Sequence, residues 1–108
     1  MQNNEFEFSN SFRKFFKEYL NKVEDESGLT IEKIALESKV SRTLIYRWMQ
    51  KRIFPKPETL FKIFYTTLKI INPKWKEAKL YNETRVLMSE AYQCLLIDFY
   101  EWKEYSFC

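Results

Sequence analysis

The sequence predicts an all-α fold, and three observations carry that prediction. The 108 residues include one Gly and three Pro, which leaves little turn chemistry for a β-rich chain. Apolar residues from Phe12 to Val23 recur with the period of a helix. Two N-cap residues, Thr30 and Ser41, stand close enough together to start two short helices. At this length we expect one domain with a single core, filled largely by aromatic side chains.

The chain is predicted to begin with a flexible arm, residues 1–11, followed by an amphipathic helix. The arm is mostly polar and carries acidic but no basic residues, as suits a loosely held terminus. Ser9 or Ser11 can cap the helix, and Gly28 supplies a break after it. Its apolar residues form one core-facing stripe. They are Phe12, Phe15, Phe16, Tyr19, Leu20 and Val23.

Residues 29–56 are predicted to form two short helices with a tight connection. Thr30 caps the first helix, and Glu32 in its first turn opposes the positive end of the helix dipole. Ser41 caps the second helix. The inner face of the first helix holds Ile31, Ile34, Ala35 and Ser38, and that of the second holds Ile45, Trp48 and Met49. The outer face of the second helix carries hydrogen-bonding side chains: Thr43, Tyr46, Arg47 and Gln50.

The spacing from Ala35 through Val40 and Ile45 to Trp48 is more specific than any one of these residues. The segment resembles the helix-turn-helix of the lambda-repressor-like family, the phage repressor and Cro type. The resemblance covers about residues 12–70. Lys39 stands where this family usually has Gly in a left-handed turn. The matching residues are Leu29, Thr30, Ile34, Ala35, Val40, Ser41, Arg42, Ile45, Trp48, Pro55, Glu58, Thr59 and Leu60.

The resemblance implies a five-helix DNA-binding domain, residues 12–71, with a long C-terminal helical extension, residues 72–108. It also implies a sequence-specific transcriptional regulator that acts as a dimer on double-stranded DNA. A repressor is the expected kind of regulator. The recognition helix, residues 41–51, would enter the major groove. Base contacts are expected from Arg42, Thr43, Tyr46, Arg47 and Gln50. Phosphate contacts are expected from Thr30, Lys39, Ser41, Lys51, Arg52 and Lys56.

Charge is distributed unevenly along the chain and agrees with that expectation. Residues 30–56 carry seven basic and two acidic side chains, a net charge of +5. Residues 1–29 carry four basic and six acidic side chains, and residues 57–108 carry seven of each. A positive helix-turn-helix would attract phosphate, although a basic face exposed only to solvent has the same composition.

Two further helices are predicted after the motif. Pro57 can open the first, whose apolar residues cover most of its circumference, so it should be packed on both sides. Asn72 and Pro73 would cap and start the second, which continues to about Tyr105 and could be interrupted near Asn82. This last helix carries a heptad-like seam of apolar residues. The seam predicts a homodimer; the alternative is that it packs on the chain's own core. The seam residues are Met88, Tyr92, Leu95, Phe99 and Trp102.

Several classes of function are disfavoured by composition. Without His the usual proton shuttle is missing, so we expect no enzyme, and two Cys without His predict no metal site or cofactor. No signal peptide or long apolar run is present, so a cytoplasmic protein without a membrane span is expected. The alternative to a regulator is an antitoxin-like adaptor whose aromatic C-terminal segment binds a protein partner. That segment contains Tyr100, Trp102, Tyr105 and Phe107.

Overall fold

The computed structural model describes residues 11–50 and 55–107, with side chains to residue 96. These residues form five α-helices and no strand, which confirms the all-α prediction for the described part of the chain. The predicted arm, apart from Ser11, lies outside the described residues. The helices are α1 (Ser11–Ser27), α2 (Ile31–Ser38), α3 (Arg42–Gln50), α4 (Pro57–Ile71) and α5 (Glu77–Phe107).

Helix α1 forms where the apolar stripe predicted it and runs one turn further, to Ser27. Phe12, Phe16, Leu20 and Val23 are its buried residues. They occupy successive turns of one face, so the helix contributes one continuous edge to the core. Gly28 ends the helix with a φ of 73°, a left-handed conformation that glycine adopts without steric cost.

Helices α2 and α3 are joined by a tight turn centred on Lys39. The Thr30 hydroxyl accepts a hydrogen bond from the Lys33 amide at 3.3 Å and caps α2 as predicted. Lys39 has φ 59° and ψ 37°, the left-handed conformation expected at this position. The Lys39 amide donates to the Ala35 carbonyl, and the Val40 amide donates to the same carbonyl at 3.1 Å, so both bonds close the C-terminal end of α2.

Replacing Lys39 with glycine should stabilise the fold by about 1 kcal/mol, because glycine relieves the cost of a left-handed L-residue. The free energy of unfolding in urea is the measurement. Lys62 on α4 is an exposed lysine in regular helix and serves as the control. Lys62→Gly should destabilise the protein by about 1 kcal/mol. Loss of stability in both variants would show that the turn does not strain Lys39.

Aromatic rings from α1, α3 and α4 meet at the centre of the core. The Phe16 ring lies 5.8 Å from the Trp48 ring and 6.4 Å from the Phe64 ring, measured between centroids. Phe16, Trp48 and Phe64 are each at most 1% exposed. Since edge-on and tilted aromatic pairs add to the free energy gained by burying area, this cluster fixes α3 against α1 and α4.

The connection between α4 and α5 differs from the prediction. Asn72 and Pro73 do not start the last helix; Asn72 instead caps the C-terminus of α4, and α5 begins at Glu77. The Asn72 side-chain amide donates to the Leu68 carbonyl at 3.1 Å, and its backbone amide donates to the same carbonyl at 2.8 Å. Asparagine favours both kinds of helix end, which explains the error. Helix α5 then continues through Asn82 without a break.

Helix α5 packs against both α1 and α4 and closes the core. Leu80, Thr84, Ala91 and Leu95 are buried along its inner face. The Thr84 hydroxyl donates to the Leu80 carbonyl at 2.6 Å, so this buried polar group is satisfied within its own helix. With 31 residues the helix is about 46 Å long at 1.5 Å per residue. None of the helices in the described ranges is long and apolar enough to cross a bilayer.

A buried polar contact joins α1 to α4. The Tyr19 hydroxyl and the Thr67 hydroxyl share a hydrogen bond, and Thr67 also donates to the Phe64 carbonyl at 2.9 Å. Burial raises the pKa of Tyr19 to about 12, a shift that the hydrogen bond with Thr67 partly offsets. The neutral phenol is therefore the form that the folded state stabilises.

This shift predicts a loss of stability at alkaline pH. The folded pKa of about 12 lies above the ordinary value of 10.0, so Tyr19 contributes its full stabilisation below pH 10 and loses it as pH rises towards 12. The loss should amount to roughly 2 kcal/mol. Urea unfolding of the wild type and Tyr19→Phe at several pH values measures it, because other titrating groups are common to both proteins. Parallel pH profiles would contradict a buried, neutral Tyr19.

Candidate nucleic-acid interface

The underside of α3 is anchored in the core. Ile45 is 0% exposed and Trp48 is 1% exposed, while Met49 is partly buried and packs against the same cluster. The Leu44 and Ile45 amides both donate to the Ser41 carbonyl, at 3.1 and 3.2 Å, so Ser41 precedes the first turn as predicted. With three inward anchors in two turns, the helix cannot rotate without exposing apolar area.

The residues predicted to contact bases are at least partly exposed on α3. Arg42, Thr43, Arg47 and Gln50 are exposed, and Tyr46 is partly exposed. Together they combine cationic, hydroxyl and amide groups, the side-chain types that form hydrogen bonds with base edges in a major groove. Thr43, Tyr46, Arg47 and Gln50 thus form one ridge on the outer face of α3, and Arg42 is exposed beside it at the first residue of the helix.

Four of the six predicted phosphate-contact residues lie among the described residues. Thr30, Lys39, Ser41 and Lys56 are exposed and lie at the ends of helices next to the motif. The Thr30 hydroxyl accepts the capping bond from Lys33, so it would meet a phosphate as a donor. Lys51 and Arg52 lie outside the described residues.

The prediction missed the basic N-terminal half of α1, which lies beside α3. Arg13 donates from its guanidinium to the Gln50 carbonyl at the C-terminal end of α3. Arg13, Lys14 and Lys17 line a concave surface together with Glu18, Asn21 and Met49. Net charge over residues 1–29 concealed this, because the same segment holds six acidic side chains, four of which follow Lys17. The guanidinium stabilises the carbonyl end of α3 through the helix dipole.

A contact between the two motif helices was also missed. The Tyr46 hydroxyl on α3 donates to a Glu32 carboxylate oxygen on α2 at 3.1 Å. This hydrogen bond, followed by partial burial and by the charge of Glu32, raises the pKa of Tyr46; Arg42 acts in the opposite direction. Glu32 was assigned only to the helix dipole. Fourteen residues separate the partners, so no local pattern could reveal the bond.

The predicted dimer seam divides into two parts in the structure. Leu95 is buried in the chain's own core, and Met88 and Tyr92 are partly buried against it. The side chains of Phe99 and Trp102 lie outside those described. Among the exposed apolar side chains of α5 are Val86 and Leu96, each 53% exposed. The part of the seam from Met88 to Leu95 therefore packs on the chain's own core, which was the alternative to a homodimer.

The described residues contain no group of three His, Cys, Asp or Glu side chains placed to hold a metal ion. Comparison of the chain with protein-family models, with curated proteins and with solved structures finds no match.

Proposed function

We propose that this protein is a sequence-specific DNA-binding transcriptional regulator with a lambda-repressor-like helix-turn-helix. The observation that carries the proposal is the division of α3 into two faces. Ile45 and Trp48 are fully buried, whereas Arg42, Thr43, Arg47 and Gln50 are exposed to solvent. A helix held so firmly, with such a polar ridge, suits insertion into a major groove.

Four of the predicted base-contact residues have a base that matches their chemistry. Arg42 and Arg47 can each pair with guanine O6 and N7, Gln50 suits adenine, and Thr43 can contact a thymine methyl group. The net charge of +5 over residues 30–56 would add attraction to phosphate that does not depend on sequence. Base contacts would then give specificity, and the lysines would give affinity and position.

The proposed regulator acts as a homodimer and as a repressor. A two-fold dimer would place its recognition helices about 34 Å apart and bind half-sites one helical turn apart. Helix α5 is the proposed dimer element, because Val86 and Leu96 remain exposed on it and the chain continues to Phe99 and Trp102. Occupying an operator in this way would block transcription from an overlapping promoter.

The adaptor function is the second candidate, and the same exposed side chains of α5 support it, because a protein partner could cover them as well as a second copy. Sedimentation of the purified protein in high salt distinguishes the two. A stable dimer supports the regulator. A monomer that aggregates, and becomes soluble when a partner protein is co-expressed, supports the adaptor.

Selection of bound duplexes from a random pool, repeated at two salt concentrations, tests the proposed function. A regulator should enrich one motif at both concentrations, since base contacts persist as phosphate attraction weakens with salt. A two-fold motif would support the dimer as well. Recovery of unenriched sequences that are lost on adding salt would overturn sequence-specific binding.

A further inference from the structure

The contact between Glu32 and Tyr46 places a carboxylate at the edge of the recognition helix. Tyr46 belongs to the exposed ridge of α3, and its hydroxyl lies 3.1 Å from the Glu32 carboxylate oxygen. Glu32 is exposed in the first turn of α2. The carboxylate therefore borders the surface that the proposed function turns towards DNA.

An ionised carboxylate can only accept hydrogen bonds. In the major groove, cytosine N4 and adenine N6 are the amino donors, whereas guanine presents N7 and O6, and thymine presents O4. Guanine and thymine would therefore place acceptors opposite the carboxylate, which cannot donate to them. Adenine has an acceptor, N7, beside its amino group, and the negative charge of the carboxylate is repelled by it. Cytosine is the base that remains.

We propose that Glu32 is a specificity-determining residue that accepts a hydrogen bond from a cytosine amino group, and that Tyr46 is the positioning residue that holds it. The proposal rests on the proposed function and adds to the five base-contact residues one that lies on α2. Tyr46 leaves the second carboxylate oxygen of Glu32 available to a base. The hydroxyl also restricts an otherwise flexible side chain.

The carboxylate of Glu32 suits the first turn of α2, but next to DNA its charge also has a cost. A negative charge facing phosphates lowers affinity for every duplex, so it has to be offset by a contact that the correct sequence supplies. The same charge improves discrimination, because duplexes without the cytosine meet only the repulsion. Glu32 thus raises selectivity at the expense of non-specific binding.

Two substitutions separate the roles of these residues. In Glu32→Gln the charge is lost and the group facing the base becomes an amide NH2, which donates instead of accepting. Selection with this variant should move the preference at one position from cytosine to a base that presents an acceptor, and affinity for random duplex should rise about threefold or more. In Tyr46→Phe the preference at the same position should weaken by about fivefold or more.

Glu37→Gln is the matched control, since it removes the same charge from the same helix. Glu37 lies about 140° around α2 from Glu32 at 100° per residue, where it pairs with Lys33 at 3.9 Å. It should leave every base preference unchanged. Circular dichroism of each variant establishes that the fold is intact.

The outcomes separate this inference from the proposed function. A wild-type motif that moves at one position in Glu32→Gln and relaxes there in Tyr46→Phe supports the inference. A wild-type motif that both variants reproduce at every position overturns it and leaves the regulator in place. Absence of any wild-type motif overturns the proposed function and this inference with it.

Discussion

Trp48→Ala is expected to destabilise the protein by about 3–5 kcal/mol, enough to unfold much of it, since small domains have about 5–15 kcal/mol in total. Trp48 is 1% exposed and contacts Phe16 at a centroid distance of 5.8 Å, so alanine leaves a large cavity between α1 and α3. Urea unfolding followed by circular dichroism gives the free energy of unfolding.

A graded set of variants distinguishes the specific loss of Trp48 packing from a general sensitivity of the fold to substitution. Ile45→Val removes one methyl group from a fully buried neighbour and should cost about 0.5–1.5 kcal/mol. Leu36 on α2 is 71% exposed, and Leu36→Ala should change stability by at most about 0.5 kcal/mol. If Trp48→Ala and Leu36→Ala had similar effects, α3 would not be anchored as described.

Arg47→Ala is expected to weaken binding to the selected duplex by about 1–3 kcal/mol, the usual value of a good guanine contact. Arg47 is exposed in the last turn of α3, so its removal should leave the fold intact. Binding to a random duplex should weaken far less, because there the arginine contributes only its charge. Fluorescence anisotropy titrations of both duplexes, at the same salt concentration, measure the difference.

Arg85→Ala supplies the control for the charge. Arg85 is an exposed arginine on α5, the helix that packs against α1 and α4. Its replacement lowers the net charge by one, as Arg47→Ala does. We expect little effect on either duplex. Equal losses on the selected and random duplexes for Arg47→Ala would contradict base contact by this residue.

Local rules were sufficient for α1 to α4 because each helix carries its own start or stop signal. Thr30 caps α2, Pro57 opens α4, and Lys39 adopts the left-handed conformation that the turn requires. Asn72 was misassigned because the same side chain suits either kind of helix end. The structure decides between the two ends, because the side-chain amide of Asn72 reaches the carbonyl of Leu68 in α4.

The candidate site was predicted in part, for a related physical reason. The periodicity of α3 indicates which side chains point inward, so the outer face follows without knowledge of the rest of the fold. The bonds from Arg13 to the Gln50 carbonyl and from Tyr46 to Glu32 join polar residues on different helices. Such contacts depend on how helices cross. Likewise, the heptad pattern at Met88, Tyr92 and Leu95 could not indicate whether the chain's own core or a second copy covers it.

The central claim is that the exposed ridge of α3 contacts DNA. Backbone amide NMR spectra of the protein, recorded during titration with the selected duplex, test it most directly. We expect the largest chemical-shift changes at Arg42, Thr43, Tyr46, Arg47 and Gln50, and at Thr30 and Glu32 of α2. Changes concentrated on α5, with the amides of α3 unaffected, would contradict the claim.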